Sequence, residues 1–197
     1  MRNVVRLAQY AALPSVNARE VYRYAGGKGE PDEEFLRLLE SCEKECLPQL
    51  TCRVCYTEFS TAEFFERFGK CKLTENYLQG CEKTLVFAAT LGLGVDRLIS
   101  RYVAVSPVKA LTIQALGAER IERLCDEFCN ERLTEYQAQG LGLTPRFSAG
   151  YGDFPLSAQT EFFALLDCSR KIGLTLNDRL LMSPSKSVTA AVGILKR

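Results

Sequence analysis

Ten residues, "RFSAGYGDFP" at 146–155, hold the densest set of chemically useful groups in the chain. Arg146 offers five donors in a planar fork that fits a carboxylate. Gly150 and Gly152 let the backbone approach a ligand with no Cβ in the way. Tyr151 adds an aromatic face and a hydroxyl. This set suits binding rather than bond cleavage. On the residues alone, a surface loop with an ion-paired arginine is the plainer reading, because glycine-containing loops are common.

The remaining inventory limits the reactions available. The chain has no histidine, which excludes Ser-His and Cys-His nucleophile pairs, His-ligated zinc and the usual neutral-pH proton shuttle. No paired-carboxylate motif stands out. Glu119, Glu122 and Asp126 sit on charged helix faces, which are more often solvated than catalytic. The nine cysteines are an odd number in a chain too large to depend on disulfides. Cys42/Cys46 and Cys125/Cys129 each share a helix face, and Cys52 and Cys55 point to opposite faces of a strand. Buried reduced thiols follow, with no metal site. "TLGLGVDR" (90–97) invites a dinucleotide reading, but Arg97 stands where a third glycine is needed and no βαβ unit follows. A plain strand-to-helix turn is the better reading.

The elements that must position these groups follow from periodicity and punctuation. A short helix is expected over 15–27, capped by Ser15 or Asn17. A stronger one spans 30–47, with Phe35, Leu36, Leu38, Leu39, Cys42 and Cys46 on one side. "TCRVCYTEF" (51–59) is the first convincing strand, residues 60–73 are ambiguous, and Thr74 caps a brief helix ending at Gly80. A buried strand over 83–92 leads into a helix over 93–105. A long helix then runs from Ser106 and Pro107 to Gly140, with Val108, Leu111, Leu116, Ile121, Leu124, Cys125, Phe128 and Leu133 as its apolar positions. After the loop, one helix is expected over 155–173, and closing strands over 174–182 and 187–195 flank the turn "SPSK". The expected class is α+β: a single domain over 1–197 with a central twisted, mainly antiparallel sheet flanked by helices. Residues 1–50 form a helical N-terminal part, and 51–197 form the core with the loop at 146–155.

Bulk properties exclude other classes. A net charge of +1 without basic runs argues against nucleic acid. The longest apolar stretch, 84–95, is about half of what spanning a bilayer requires. No signal-peptide pattern opens the chain, so a cytoplasmic protein is expected.

Three blocks carry a family resemblance. They are R-x-x-x-G-Y-x-x-x-P at Arg146, Gly150, Tyr151 and Pro155, then "EFFALLD" running to "IGLTLND", then M-x-P-x-x-S-V at Met182, Pro184, Ser187 and Val188. In order and spacing they resemble the activation (reactivation) domain of cobalamin-dependent methionine synthase. Upstream, "EVYRYAGGKGEPDEE" and "LVFAATLGLGVDRLISRY" are similar to small free-standing relatives of that domain. The resemblance implies a subunit that binds S-adenosylmethionine and supports reductive remethylation of a cobalamin held by a separate methionine synthase or other corrinoid protein. A flavodoxin-type reductant is the implied electron source. It implies Arg146, Ala149, Gly150, Tyr151 and Glu122 as ligand-binding residues, and Tyr151, Gly152 and Ser187 as facing the cobalamin. No side chain is implied to be catalytic, and the chain is not expected to be an autonomous enzyme. That fits the missing histidine, since the metal is the nucleophile and the sulfonium carries its own leaving group. Ala149 and Gly152 stand where full-length enzymes tend to have proline, so the loop is softer before ligand binds. The competing readings are a non-catalytic cap or interaction module for a corrinoid protein and, more weakly, a thiol-based redox or metal protein.

Overall fold

The computed structural model describes residues 4–196. Strand β1 (Arg6–Tyr10) is followed by helix α1 (Ala18–Tyr24), whose first turn is capped by the Asn17 side chain. Helix α2 (Glu33–Cys46) is capped by Asp32, which accepts from the Phe35 N–H at 2.8 Å. Strand β2 (Cys52–Ser60) leads into two short helices, α3 (Thr61–Phe68) and α4 (Lys72–Tyr77). Strand β3 (Lys83–Thr90) runs into α5 (Gly94–Tyr102) and then the 31-residue α6 (Pro107–Gln137). The chain continues through β4 (Leu141–Leu143), α7 (Gln159–Leu166), α8 (Cys168–Ile172), a small ribbon of β5 (Thr175–Leu176) and β6 (Met182–Ser183), and β7 (Ser187–Lys196).

The centre is a five-stranded sheet in the order β1-β2-β3-β7-β4, antiparallel at every pairing. Helices cover both faces, which explains why β3 and β7 read as nearly continuous apolar runs rather than alternating ones. On one face Leu85, Phe87 and Ala89 pack with Leu39, Leu98, Ile113 and Phe128 from α2, α5 and α6. On the other, Val86 and Ala88 pack with Phe64, Phe68, Phe162 and Leu166 from α3 and α7. The α+β, mainly antiparallel expectation therefore holds. Where α6 crosses α5, Gly117 leaves no room for a side chain: a Cβ there would lie 2.8 Å from Val95 Cγ1. Close approach outweighs the cost of about 1 kcal/mol that glycine carries inside a helix.

The structure departs from the sequence-based expectations in several places. The first strand is β1, inside the part expected to be helical; its five residues form a half-exposed edge too short and polar to show a pattern. Residues 60–73 settle as helix α3 and the start of α4. Helix α4 is capped by Cys71, with Thr74 closing the box from inside the helix. The helix expected over 155–173 is broken at Asp167, whose φ of 52° is left-handed, so α7 and α8 are separate. The stretch 174–182 is not a sheet strand; it contributes two-residue arms to the β5-β6 ribbon. Leu36, Val108 and Leu111 are exposed rather than core. Ser106 occupies the N-cap of α6 without a side-chain cap bond.

The cysteines behave as buried thiols. All nine are free and seven are buried. Cys52 joins one core and Cys55 the other, on opposite faces of β2. Burial pushes the thiol of Cys46 up to about 12 and that of Cys52 up to about 11, so both stay protonated and unreactive. Among the described residues no group of three metal-ligating side chains comes together, and no helix is long and apolar enough to cross a membrane.

Candidate functional site

The 146–155 loop is pinned at both ends before any ligand is considered. Phe147 makes a two-way backbone bridge with Ala191 of β7, at 3.0 and 2.8 Å. Its ring packs 6.0 Å from Phe64 and 5.9 Å from Phe154, so two aromatic side chains anchor the loop into the second core. Between these anchors the chain turns tightly. The Gly150 N–H donates to the Phe154 carbonyl at 2.9 Å, and the Tyr151 N–H to that of Ser148 at 3.2 Å. Gly150 at φ 88° and Gly152 at φ 57° adopt conformations that favour glycine, which is why the turn needs both. The carbonyls of Ala149 and Gly150 accept no hydrogen bond among the described residues.

Asp153 has a structural task that its sequence context hides. Its carboxylate accepts from the N–H groups of Lys72 at 2.9 Å and Leu73 at 3.0 Å, capping α4 from a distant part of the chain. The Leu73 hydrogen bond is the main reason its carboxyl is held below the ordinary value of 3.8. The stabilisation is therefore present at neutral pH and lost as pH falls through that lowered value. Asp153→Ala is expected to speed hydrogen exchange at the Lys72 and Leu73 amides roughly fivefold, the usual worth of a lost cap. A similar fall in protection, taken relative to the intrinsic exchange rate at each pH, should appear in the unmodified protein on strong acidification. Unchanged exchange in the variant would show that the cap is not needed.

The sequence-expected site residues meet in part. Arg146 and Glu122 are brought together: Arg146 Nη2 donates to Glu122 Oε2 at 2.5 Å and to Asp126 Oδ1 at 3.1 Å. Glu122 and Asp126 lie four apart on α6, so they face the same way and clamp one nitrogen between them. The Arg146 side chain is 25% exposed, and its Nε and Nη1 make no hydrogen bond among the described residues. Nη2 is thus committed, while Nε and Nη1 remain available as separate donors. Ala149 is buried at the loop base, whereas Tyr151 is 62% exposed. Gly152 faces Leu73, whose Cδ1 would lie 2.8 Å from an added Cβ. Ser187 is buried, with its hydroxyl bonded to Thr90 Oγ1 and the Pro184 carbonyl, both at 2.8 Å. That geometry corrects its expected place on a cobalamin-facing surface: the hydroxyl closes the sheet end internally.

In the sequence Asp126 belongs to a generic charged helix face, and its share in holding Arg146 emerges only in the fold. The four-residue spacing to Glu122 was visible, but nothing local indicates that a distant arginine arrives there.

No protein-family model matches the chain, and no curated protein matches it. Among solved structures, the crystal structure of the MetH reactivation domain bound to AdoHcy superimposes with a TM-score of 0.67 at 17% identity. The match covers 98% of this chain and 78% of that one. The fold is that of the MetH reactivation domain. At this identity the likeness extends to the architecture alone.

Proposed function

We propose that the chain is a reactivation subunit that binds S-adenosylmethionine and supports reductive remethylation of cobalamin carried by a separate methionine synthase or related corrinoid protein. The observation that carries this reading is the Arg146–Glu122 pair beside the Gly150–Tyr151 turn, in a fold shared with a protein bound to AdoHcy. AdoHcy is S-adenosylmethionine without its transferable methyl group. Three parts of S-adenosylmethionine have a complementary group here. The free Nε–H and Nη1–H of Arg146 suit single charge-assisted hydrogen bonds to the methionyl carboxylate. The unused carbonyls of Ala149 and Gly150 suit an adenine amino group. The Glu122 carboxylate offers negative charge to a sulfonium.

The cobalamin of the partner supplies a nucleophilic metal that accepts the methyl group. This chain's own work is positioning, which requires no proton donor and agrees with the absence of histidine. Exposed Tyr151, with exposed Leu156 close by, presents an apolar surface at which a partner docks. A flavodoxin-type protein is the proposed source of the electron.

One observation favours a second reading. Arg146 Nη2 already has two carboxylate partners, as in an ion pair that only secures the loop. In that case the chain is a cap for a corrinoid protein that binds no S-adenosylmethionine. Calorimetric titration with S-adenosylmethionine, alone and in the presence of a cobalamin-loaded methionine synthase lacking its own reactivation domain, separates the two. Saturable heat in either format supports the first reading. Partner binding without any ligand heat overturns it in favour of the second.

A further inference from the structure

A cavity of about 470 Å³ opens at the end of the sheet where β2 begins and β3 ends. Its wall includes Gln49, Thr51, Arg53, Gly94 and Arg97, and no carboxylate lines it. Neither Arg53 nor Arg97 makes an ion pair or a side-chain hydrogen bond among the described residues. Arg53 Nε is moreover buried without any hydrogen-bond partner. A buried guanidinium nitrogen with no acceptor is costly, and native proteins rarely leave one so. Arg53 is fixed by its place in β2: its neighbours Cys52 and Val54 fill one core, so its own side chain must emerge on the opposite face.

The turn "TLGLGVDR" reaches the same place. A Cβ on Gly94 would lie 2.4 Å from the Gln49 carbonyl, and one on Gly92 would lie 3.0 Å from Thr51 Cβ. The two glycines therefore allow the 49–51 segment to close against the turn, which accounts for them without a dinucleotide fingerprint. Helix α5 opens there with no side-chain cap, its N-cap being Leu93. The acid of its first turn, Asp96, instead accepts from the Ser185 N–H at 3.2 and 3.3 Å. An uncapped helix start adds a positive dipole end to two unpaired arginines.

We infer that this cavity binds a phosphate group, carried on a small organic phosphate ester whose body lies along the apolar wall of Leu93, Ile172 and Pro184. Arg53 supplies its unpaired guanidinium from the sheet side, Arg97 closes the group from the solvent side, and the start of α5 faces it. The volume falls within the range of small-ligand pockets and exceeds what a bare anion needs. The site is built on β2 and α5 and does not rest on the reading of the 146–155 loop.

Calorimetry and ³¹P NMR line broadening with inorganic phosphate, pyrophosphate and adenosine 5′-monophosphate, at constant ionic strength held with chloride, test the inference. The wild-type protein is expected to bind one equivalent. Arg97→Gln should weaken binding roughly tenfold, the worth of one charge-assisted hydrogen bond. Arg97 is exposed, so that variant folds even if Arg53→Gln does not. Arg37→Gln, on the outer face of α2, should change nothing. Tighter binding of the monophosphate than of inorganic phosphate assigns an ester ligand, and equal binding assigns the free oxyanion. No saturable binding of any of the three probes, or equal binding to wild type and Arg97→Gln, overturns the site. S-adenosylmethionine titration of Arg97→Gln should match wild type, so failure here stays distinct from failure of the proposed function.

Discussion

Arg120→Met is expected to lower the stability of the fold by about 3–5 kcal/mol, the cost of leaving a buried charge without its partner. Arg120 is 2% exposed and Glu119 4%. The guanidinium Nε donates to Glu119 Oε2, and Nη2 donates to Glu119 Oε1 at 2.7 Å. Nη1 donates to the Pro14 carbonyl at 2.6 Å, and Nη2 also reaches the Ser15 carbonyl at 3.2 Å. Glu119 Oε1 in turn accepts from the Asn17 N–H at 3.2 Å. The pair thus ties α6 to the segment between β1 and α1. Removing the cation strands a buried carboxylate and two backbone carbonyls together.

The double variant Glu119→Gln/Arg120→Met separates charge from packing. Glutamine keeps an acceptor for the Asn17 N–H while removing the stranded charge, so more than half of the loss should return. Urea unfolding of both single variants and the double gives the coupling directly. A loss below about 1 kcal/mol in Arg120→Met would show that water or a neighbouring group compensates the carboxylate, against the burial described. The consequence extends beyond stability, because α6 also presents Glu122 and Asp126 to Arg146. A shift of α6 relative to the sheet would move both carboxylates at once.

This pair also shows what a sequence conceals. Adjacent residues on a helix do not normally face one another, so "ER" at 119–120 reads as two solvated charges. Only the arrival of residues 14–17 overhead turns both inward. The burial of β3 was legible because its run is uninterrupted, and so were the α+β class and the Asn17 cap of α1. Edge strands β1 and β4 were not, having five and three residues and little apolar content to set a period. The loop at 146–155 was legible as a binding candidate from residue types. The roles of Asp153, as a remote helix cap, and Ser187, as an internal closure, depend on contacts across 80 or more residues. No local pattern encodes contacts of that range.

In the proposed function Arg146 and Glu122 divide the ligand between them. Arg146→Gln is expected to weaken S-adenosylmethionine and AdoHcy alike, roughly a hundredfold, since both carry the carboxylate that the free Nε–H and Nη1–H would grip. Stability should fall only slightly. Its partners Glu122 and Asp126 are 41% and 50% exposed, so water compensates them when the cation is gone. Glu122→Gln should behave differently. A carboxylate near the sulfur favours the sulfonium over the neutral thioether, and at a half-exposed position that preference is worth about 1 kcal/mol, or roughly fivefold. The variant should therefore narrow the ratio of S-adenosylmethionine to AdoHcy affinity while leaving AdoHcy binding nearly unchanged. Arg146→Lys keeps the charge without the planar fork and should recover only part of the loss. Calorimetry on the three variants with both ligands reads all of this from one set of titrations. A pair that merely secures the loop would lower neither ligand selectively, and an unchanged affinity ratio in Glu122→Gln would place the sulfur away from this carboxylate.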